Sequence, residues 1–151
     1  MKLTHSVVSS LLLAAGACAP AFAGLGGDAT SVDADRVSVK GTVRVTTNSA
    51  GLAVHHISNA AGVQIHEYLG ADGRVFAVSW AGPGVPDFGS MLGGYYAEVQ
   101  QAVNRPHYNH HNLSVVTPRV VLQSSGHLRT FYGRAWAPGL LPQNFSVTDI
   151  K

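Results

Sequence analysis

Apolar and polar residues alternate along several short segments of the chain. Valines at positions 37, 39, 43 and 45 alternate with polar residues, and this period of two is typical of a half-buried strand. Three further segments of strand-like composition follow, from Leu52 to Ser58, from Val63 to Leu69 and from Arg74 to Trp80. The breaks between them, 59–62 and 70–73, have the composition of tight turns. We therefore predict an antiparallel meander.

A symmetric closure of the first hairpin predicts which side chains face each other across the strands. The expected cross-strand pairs are Ser58–Val63, Val54–Glu67, His56–Ile65 and His55–His66. Because side chains alternate between the two faces, one face is predicted to form the core. Its members are Leu52, Val54, Ile65, Leu69, Phe76, Val78 and Trp80. On this pairing His55, His66 and Ser79 lie on the opposite face.

A helix is predicted after the meander. Asp87 follows a segment rich in glycine and proline, and its carboxylate suits the N-cap position. Apolar residues then recur at spacings of three and four, which indicates a helix of about four turns with one apolar stripe. The stripe consists of Phe88, Met91, Leu92, Tyr95, Val99, Ala102 and Val103. Pro106 ends the helix.

The last third of the chain predicts a second hairpin and a packed tail. The segments 113–123 and 128–137 are strand-like and flank a turn at Ser124 to His127. The tail beyond them holds apolar residues that favour packing, namely Leu140, Leu141, Phe145, Val147 and Ile150. We expect an α+β domain, an antiparallel sheet of five to seven strands with one main helix packed on one face.

The amino terminus has the pattern of a cleaved signal peptide. A lysine precedes a short apolar run, and small residues lead to a cleavage site at Ala23. The run is too short to span a bilayer, so we expect an exported chain, periplasmic or secreted, with no membrane span after cleavage. Cys18, the single cysteine, lies before this site; lipid modification of Cys18 is the alternative. The predicted organisation is signal peptide 1–23, flexible leader 24–35 and one domain 36–151.

Charge argues against one class of partner. Charged residues make up 12% of the chain, and the formal net charge is +2. The arginines are dispersed along the sequence instead of forming a basic stripe. Because nucleic-acid binding depends on clustered cations, we expect no nucleic-acid partner.

Several segments resemble one protein family. They are Gly73 to Asp87, Met91 to Tyr95, Leu25-Gly26-Gly27, His66-Glu67-Tyr68 and Gly126 to Ala135. In their order and spacing they resemble an uncharacterised family of exported bacterial proteins, known as domain of unknown function 2844. Phe88 stands where leucine is usual, and His66 where arginine is expected. The resemblance implies an exported protein and assigns no catalytic residue.

Histidine is the residue type that most suggests a metal site. His107, His110 and His111 cluster within five residues, and His55 and His66 are predicted to face each other. Imidazoles bind zinc or copper, and a tetrahedral site needs three or four ligands. A periplasmic metal-binding protein is therefore one alternative, while a solvated histidine loop is the other interpretation.

Glu67 is the other candidate for chemistry. The predicted pairing places its carboxylate on the apolar face, diagonally adjacent to His56, where it must be paired or protonated. An ion pair is the structural interpretation, and a small hydrolase that uses Glu67 with His56 is the catalytic one.

No catalytic or cofactor motif is present in the sequence, so we expect a non-catalytic envelope protein that binds an unidentified ligand or partner. Six aromatic residues are candidates for a binding groove: Trp80, Tyr95, Tyr96, Phe131, Tyr132 and Trp136.

Overall fold

The computed structural model describes residues 24–28, 42–103 and 112–151. Seven strands form one antiparallel sheet in the order β1-β2-β3-β4-β7-β6-β5. The strands are β1 (Thr42–Thr47), β2 (Ala53–Ser58), β3 (Gln64–Leu69), β4 (Val75–Gly82), β5 (Asn112–Val116), β6 (Val121–His127) and β7 (Thr130–Trp136). The α+β class, the meander and the second hairpin are as the sequence predicts. Among the described residues, no helix has the length and apolar character that crossing a bilayer requires.

One helical segment, which lies between β4 and β5 in the sequence, covers one face of the sheet. It consists of α1 (Phe88–Leu92), a 3₁₀ turn (Gly93–Tyr95) and α2 (Tyr96–Val103). Gly93 has a φ of 51°, a conformation that favours glycine, and it divides the expected single helix. The predicted apolar stripe does face the core, where Met91, Leu92 and Val99 are buried.

The sheet has two covered faces. The helix face carries Ile57, Ile65, Val78, Trp80 and Leu122, which pack with the helical segment. The tail face carries Val54, Tyr68, Ala77, Val121 and Trp136, which pack with the segment after β7. On that face the main-chain oxygen of Lys151 accepts hydrogen bonds from Ser79 Oγ at 2.7 Å, Tyr68 Oη at 2.9 Å and His66 Nδ1 at 3.0 Å. The expected packing of the tail is therefore present.

The predicted register of the hairpin that β2 and β3 form is wrong by one residue. Val63 belongs to the loop, because its amide donates to Asn59 Oδ1 at 2.9 Å and its carbonyl accepts from the Asn59 amide at 3.1 Å. Ser58 consequently pairs with Gln64. The observed pairs are Val54–Tyr68, His55–Glu67, His56–His66 and Ile57–Ile65.

A β-bulge further divides the predicted core face. Tyr68 pairs with Ala77 while Leu69 pairs with Val75, so Phe76 is an extra residue in β4. Phe76 packs with the tail-face cluster, as do Val54 and Leu52. Ile65, Leu69, Val78 and Trp80 pack on the helix face. All seven residues contribute to the core, but they are distributed over two faces.

The first described residues are packed against the domain instead of forming the expected flexible leader. Leu25 is only 2% exposed, and its amide donates to the Met91 carbonyl at 2.9 Å. Gly26 and Gly27 form main-chain hydrogen bonds with Val75. Next to them, Asp28 and Arg74 form an isolated antiparallel β-bridge. Residues 24–28 are therefore part of the fold. The predicted signal peptide, residues 1–23, and the rest of the expected leader lie outside the described residues.

Asp87 caps α1 as the sequence predicts. Its carboxylate accepts from Ser90 Oγ at 2.7 Å and from the Gly89 amide at 3.0 Å. The hydrogen bond from the Ser90 side chain, followed by the one from the Gly89 amide, lowers the pKa of Asp87 below its ordinary value of 3.8. The charged form is therefore the one that stabilises the folded state.

Removal of this cap is expected to destabilise the protein in a pH-dependent manner. We expect Asp87→Ala to lower the free energy of unfolding by about 1 kcal/mol at pH 7. Because the folded-state pKa is depressed, the contribution of the charge is complete above pH 3.8 and is lost as the pH falls through the folded-state pKa. Urea unfolding between pH 7 and pH 2.5 measures this, with Asp87→Asn as the matched control that retains an acceptor oxygen. A wild-type advantage over the Asn variant that persists unchanged at the lowest pH would contradict the assignment.

Candidate functional site

A cavity of about 540 Å³ opens on the tail face above β5, β6 and β7. The strand register brings residues from all three strands together there, because Ser114 pairs with Gln123 and Gln123 pairs with Arg134. Ile150 and Lys151 form its wall. Its lining includes apolar residues, among them Ala81 and Leu113, and the polar and aromatic residues Asn112, Ser114, Gln123, Ser125, Tyr132 and Arg134. We refer to this space as the β5–β7 cavity.

Arg134 is held in a defined position beside the β5–β7 cavity. Its Nε donates to Gln123 Oε1 at 3.0 Å, and its Nη1 donates to the Val147 carbonyl at 2.8 Å. The guanidinium carbon lies 5.6 Å from the centre of the Trp136 ring, in a cation–π arrangement. Contacts on three sides fix the plane of the guanidinium before any ligand binds.

The other side chains of the β5–β7 cavity add directional polar groups and an aromatic surface. Ser125 Oγ donates to Asn112 Oδ1 across β5 and β6. Tyr132 has 54% of its surface exposed, so its ring is accessible beside these polar groups. Ligand sites combine an aromatic or apolar wall with a few positioned polar groups, and the β5–β7 cavity has both.

A second cavity, of about 360 Å³, lies on the helix face and contains Glu67. We refer to it as the Glu67 cavity. Glu67 is only 1% exposed, and Ile57, Ile65 and Met91 form apolar walls around it. Asp87 and Ser90, which cap α1, also line it. Glu67 therefore lies on the apolar helix face, as the sequence predicts.

Glu67 and His56 are not brought together. His56 lies on the tail face, where it pairs with His66, whereas Glu67 faces the helical segment and His55 is its cross-strand neighbour. Because the observed register differs from the predicted one by one residue, His55 lies on the helix face beside Glu67, and His56 lies on the tail face. The proposed catalytic pair of Glu67 with His56 is thus separated by the sheet, and a hydrolase hypothesis has to use His55 in its place.

The histidine pair of the first hairpin consists of His56 and His66, and not His55 and His66. The two rings lie 4.4 Å apart in an edge-to-face arrangement, and His56 Nε2 is 2.7 Å from Thr46 Oγ1. Burial, and then the neighbouring His66, lower the pKa of His56 below 6.5. His56 is therefore neutral at physiological pH.

The metal hypothesis stays a prediction. Within residues 24–28, 42–103 and 112–151, no group of three histidine, cysteine or acidic side chains is arranged to hold a metal ion. The predicted zinc or copper site combines the hairpin histidines with His107, His110 and His111, which lie outside the described residues.

The six aromatic residues named from the sequence do not form one groove. Trp80 packs on the helix face against Phe88, with ring centres 5.3 Å apart, whereas Tyr132 and Trp136 belong to the tail face. Gln123 and Arg134 were not among the candidate site residues named from the sequence. Gln123 and Ser125, and likewise Tyr132 and Arg134, alternate with other residues along β6 and β7. This period of two was the available signal.

The comparisons with known proteins identify a family. No curated protein and no solved structure matches the chain. The sequence profile described as "Protein of unknown function (DUF2844)" matches residues 21–150, a range that includes the helical segment, the packed amino-terminal residues and, except for Lys151, the residues that line both cavities. The chain therefore belongs to the DUF2844 family of proteins of unknown function.

Proposed function

We propose that the protein is a non-catalytic binding protein of the bacterial cell envelope, which holds a small ligand in the β5–β7 cavity. The observation that carries the proposal is the cavity of about 540 Å³ with its polar and aromatic lining. Small-molecule sites fall in the range of about 300 to 1,000 Å³. The signal-peptide pattern before Ala23 supports export to the periplasm or beyond.

The polar side chains that line the β5–β7 cavity favour recognition over catalysis. They carry amides, hydroxyls, a phenol, a guanidinium and an ammonium, which donate and accept hydrogen bonds, and they stand among apolar residues such as Leu113 and Ile150. A serine nucleophile needs an adjacent base, and the lining residues of the described chain include no carboxylate or imidazole side chain. The internal hydrogen bonds of Arg134 and Ser125 hold the groups in place, which reduces the entropy lost when a ligand binds.

This proposal is tested by filling the cavity with a larger side chain and measuring whether the protein still retains a ligand. Ser114 lies on β5, is exposed, and lines the cavity, so Ser114→Trp should fill part of the space without disturbing the core. The wild-type protein is incubated with the small-molecule fraction of a bacterial envelope extract, and native mass spectrometry then measures the mass that it retains. We expect the wild type to retain a small molecule and Ser114→Trp to lose at least nine-tenths of it.

Ser58→Trp is the matched control. Ser58 is also an exposed serine on a strand, and it lies outside the residues that line the β5–β7 cavity. Its tryptophan variant should retain the same mass as the wild type. Equal retention by Ser114→Trp, or no retained molecule in any of the three proteins, would refute binding in this cavity.

A further inference from the structure

The charged side chains of the β5–β7 cavity have one sign. The charged side chains that line it are Arg134 and Lys151, both cationic. Arg134 is partly buried, and its contacts are with neutral groups: the Gln123 amide, the Val147 carbonyl and the Trp136 ring. In the described chain, the Arg119–Glu98 contact is an ion pair, but Arg134 has no acidic partner there. A partly desolvated guanidinium with neutral partners gains from an anionic one.

Arg134 retains donors that match a carboxylate. A guanidinium carries five N–H groups in a rigid fork, and the two hydrogen bonds described above use one on Nε and one on Nη1. Within the described residues no hydrogen bond uses the others, which include both on Nη2, so they can donate to a ligand. The planar fork matches the two oxygens of a carboxylate, and such charge-assisted pairs are the strong class of hydrogen bond.

The side-chain amides of Gln123 and Asn112 both leave their NH₂ groups available to donate to a ligand. Gln123 Oε1 accepts from Arg134 Nε, so the NH₂ group of Gln123 is available on the other side. Asn112 Oδ1 accepts from Ser125 Oγ, which leaves the NH₂ group of Asn112 to donate as well. Since each amide oxygen already accepts one internal hydrogen bond while each NH₂ group keeps two donors, these two side chains offer a ligand more donors than acceptors. An oxygen-rich ligand, which supplies acceptors, complements them.

Building on the proposed binding function, we infer that the ligand of the β5–β7 cavity is a small sugar acid: a hydroxylated molecule whose carboxylate binds the guanidinium of Arg134. The hydroxyl oxygens accept from the amides of Gln123 and Asn112. The exposed ring of Tyr132 supplies an apolar surface for the C–H face of a sugar ring. Arg134 acts as the specificity-determining residue because it is the group that distinguishes an acid from a neutral sugar.

Calorimetric titration with two sugars tests the inference. D-galacturonate carries the carboxylate, and D-galactose has the same ring without it. At low salt the wild type should bind galacturonate at least tenfold more tightly than galactose, and added sodium chloride should weaken only the binding of galacturonate. Equal affinity for both sugars, or no binding of galacturonate at millimolar concentration, would overturn the inference.

Two variants locate the effect at Arg134. Arg134→Lys keeps the positive charge and removes the fork, so we expect about a tenfold loss of galacturonate affinity and little change for galactose. Arg119→Lys is the control, because Arg119 lies over the Tyr95 ring and outside the cavity; it should bind both sugars as the wild type does. Unchanged galacturonate binding by Arg134→Lys contradicts the assignment. Thermal unfolding of both variants confirms that each is folded at the titration temperature.

The two proposals fail in distinguishable ways. A neutral molecule retained by the wild type and lost in Ser114→Trp would preserve the binding function and overturn the sugar-acid assignment. Absence of any retained molecule in the envelope experiment would refute the binding function, whereas absence of galacturonate binding with a molecule still retained would refute the sugar-acid assignment alone.

Discussion

Gly133→Ala is expected to lower the free energy of unfolding by about 3 kcal/mol, the upper part of the range for overpacked cores. A Cβ atom at residue 133 would overlap Cζ2 of Trp80 and lie 2.5 Å from the main-chain oxygen of Gln123. The Trp80 side chain is only 3% exposed and packs against Phe88, so it has no space to yield. The Gln123 oxygen belongs to the backbone of β6. Urea unfolding followed by tryptophan fluorescence measures the change.

Gly139→Ala is the matched control for Gly133→Ala. An added Cβ at residue 139 has no heavy atom within 4 Å in the described structure, and Gly139 is not among the glycines with positive φ. Its substitution should change stability by less than about 0.5 kcal/mol. If the two alanine variants unfold at the same urea concentration, then Trp80 does not pack against β7 as the structure shows.

The elements were predictable from the sequence because their signals are local. Alternating valines marked the first strand, and turn-like breaks marked the strands that follow it. Asp87 with the stripe from Phe88 to Val103 marked the helical segment. Each of these signals depends on neighbours within a few residues. Antiparallel pairing of consecutive strands then follows from the short turns between them.

The register was not predictable, because single loop residues decide it. The side-chain amide of Asn59 draws Val63 into the first loop, and this one residue moves His55 to the helix face and His56 to the tail face. The extra residue in β4 likewise moves Phe76 from one face to the other. Since side chains alternate, a shift of one position exchanges every face assignment after it. For this reason the predictions that pair Glu67 with His56 and His55 with His66 are wrong.

The β5–β7 cavity was missed for a related reason. Asn112, Gln123 and Arg134 are separated by eleven residues at each step, and only the pairing of three strands places them on one face. In the sequence Arg134 is one of several dispersed arginines. Its role as a candidate binding residue depends on its contacts with Gln123 and Val147, the second of which comes from the carboxyl-terminal segment.

Leu25→Ala is expected to lower the free energy of unfolding by about 3 kcal/mol, within the range for a leucine truncated in a core. Leu25 is 2% exposed and belongs to the helix-face cluster. Truncation removes buried apolar surface and leaves a cavity beside Met91. The cavity is expected to remain, because the Leu25 amide is bound to the Met91 carbonyl at 2.9 Å, which keeps the backbone from closing over it. Chemical unfolding followed by circular dichroism measures the loss.

The control for Leu25→Ala is the same substitution at Leu128, which is 85% exposed in the turn between β6 and β7. It should alter stability by less than about 0.5 kcal/mol. Equal stability of the two variants would show that residues 24–28 form a detachable leader, as composition alone suggested. A loss confined to Leu25→Ala would mean that cleavage at the predicted site, Ala23, leaves the new amino terminus directly beside a core residue. In that case a cut only a few residues later would remove Leu25 and destabilise the domain.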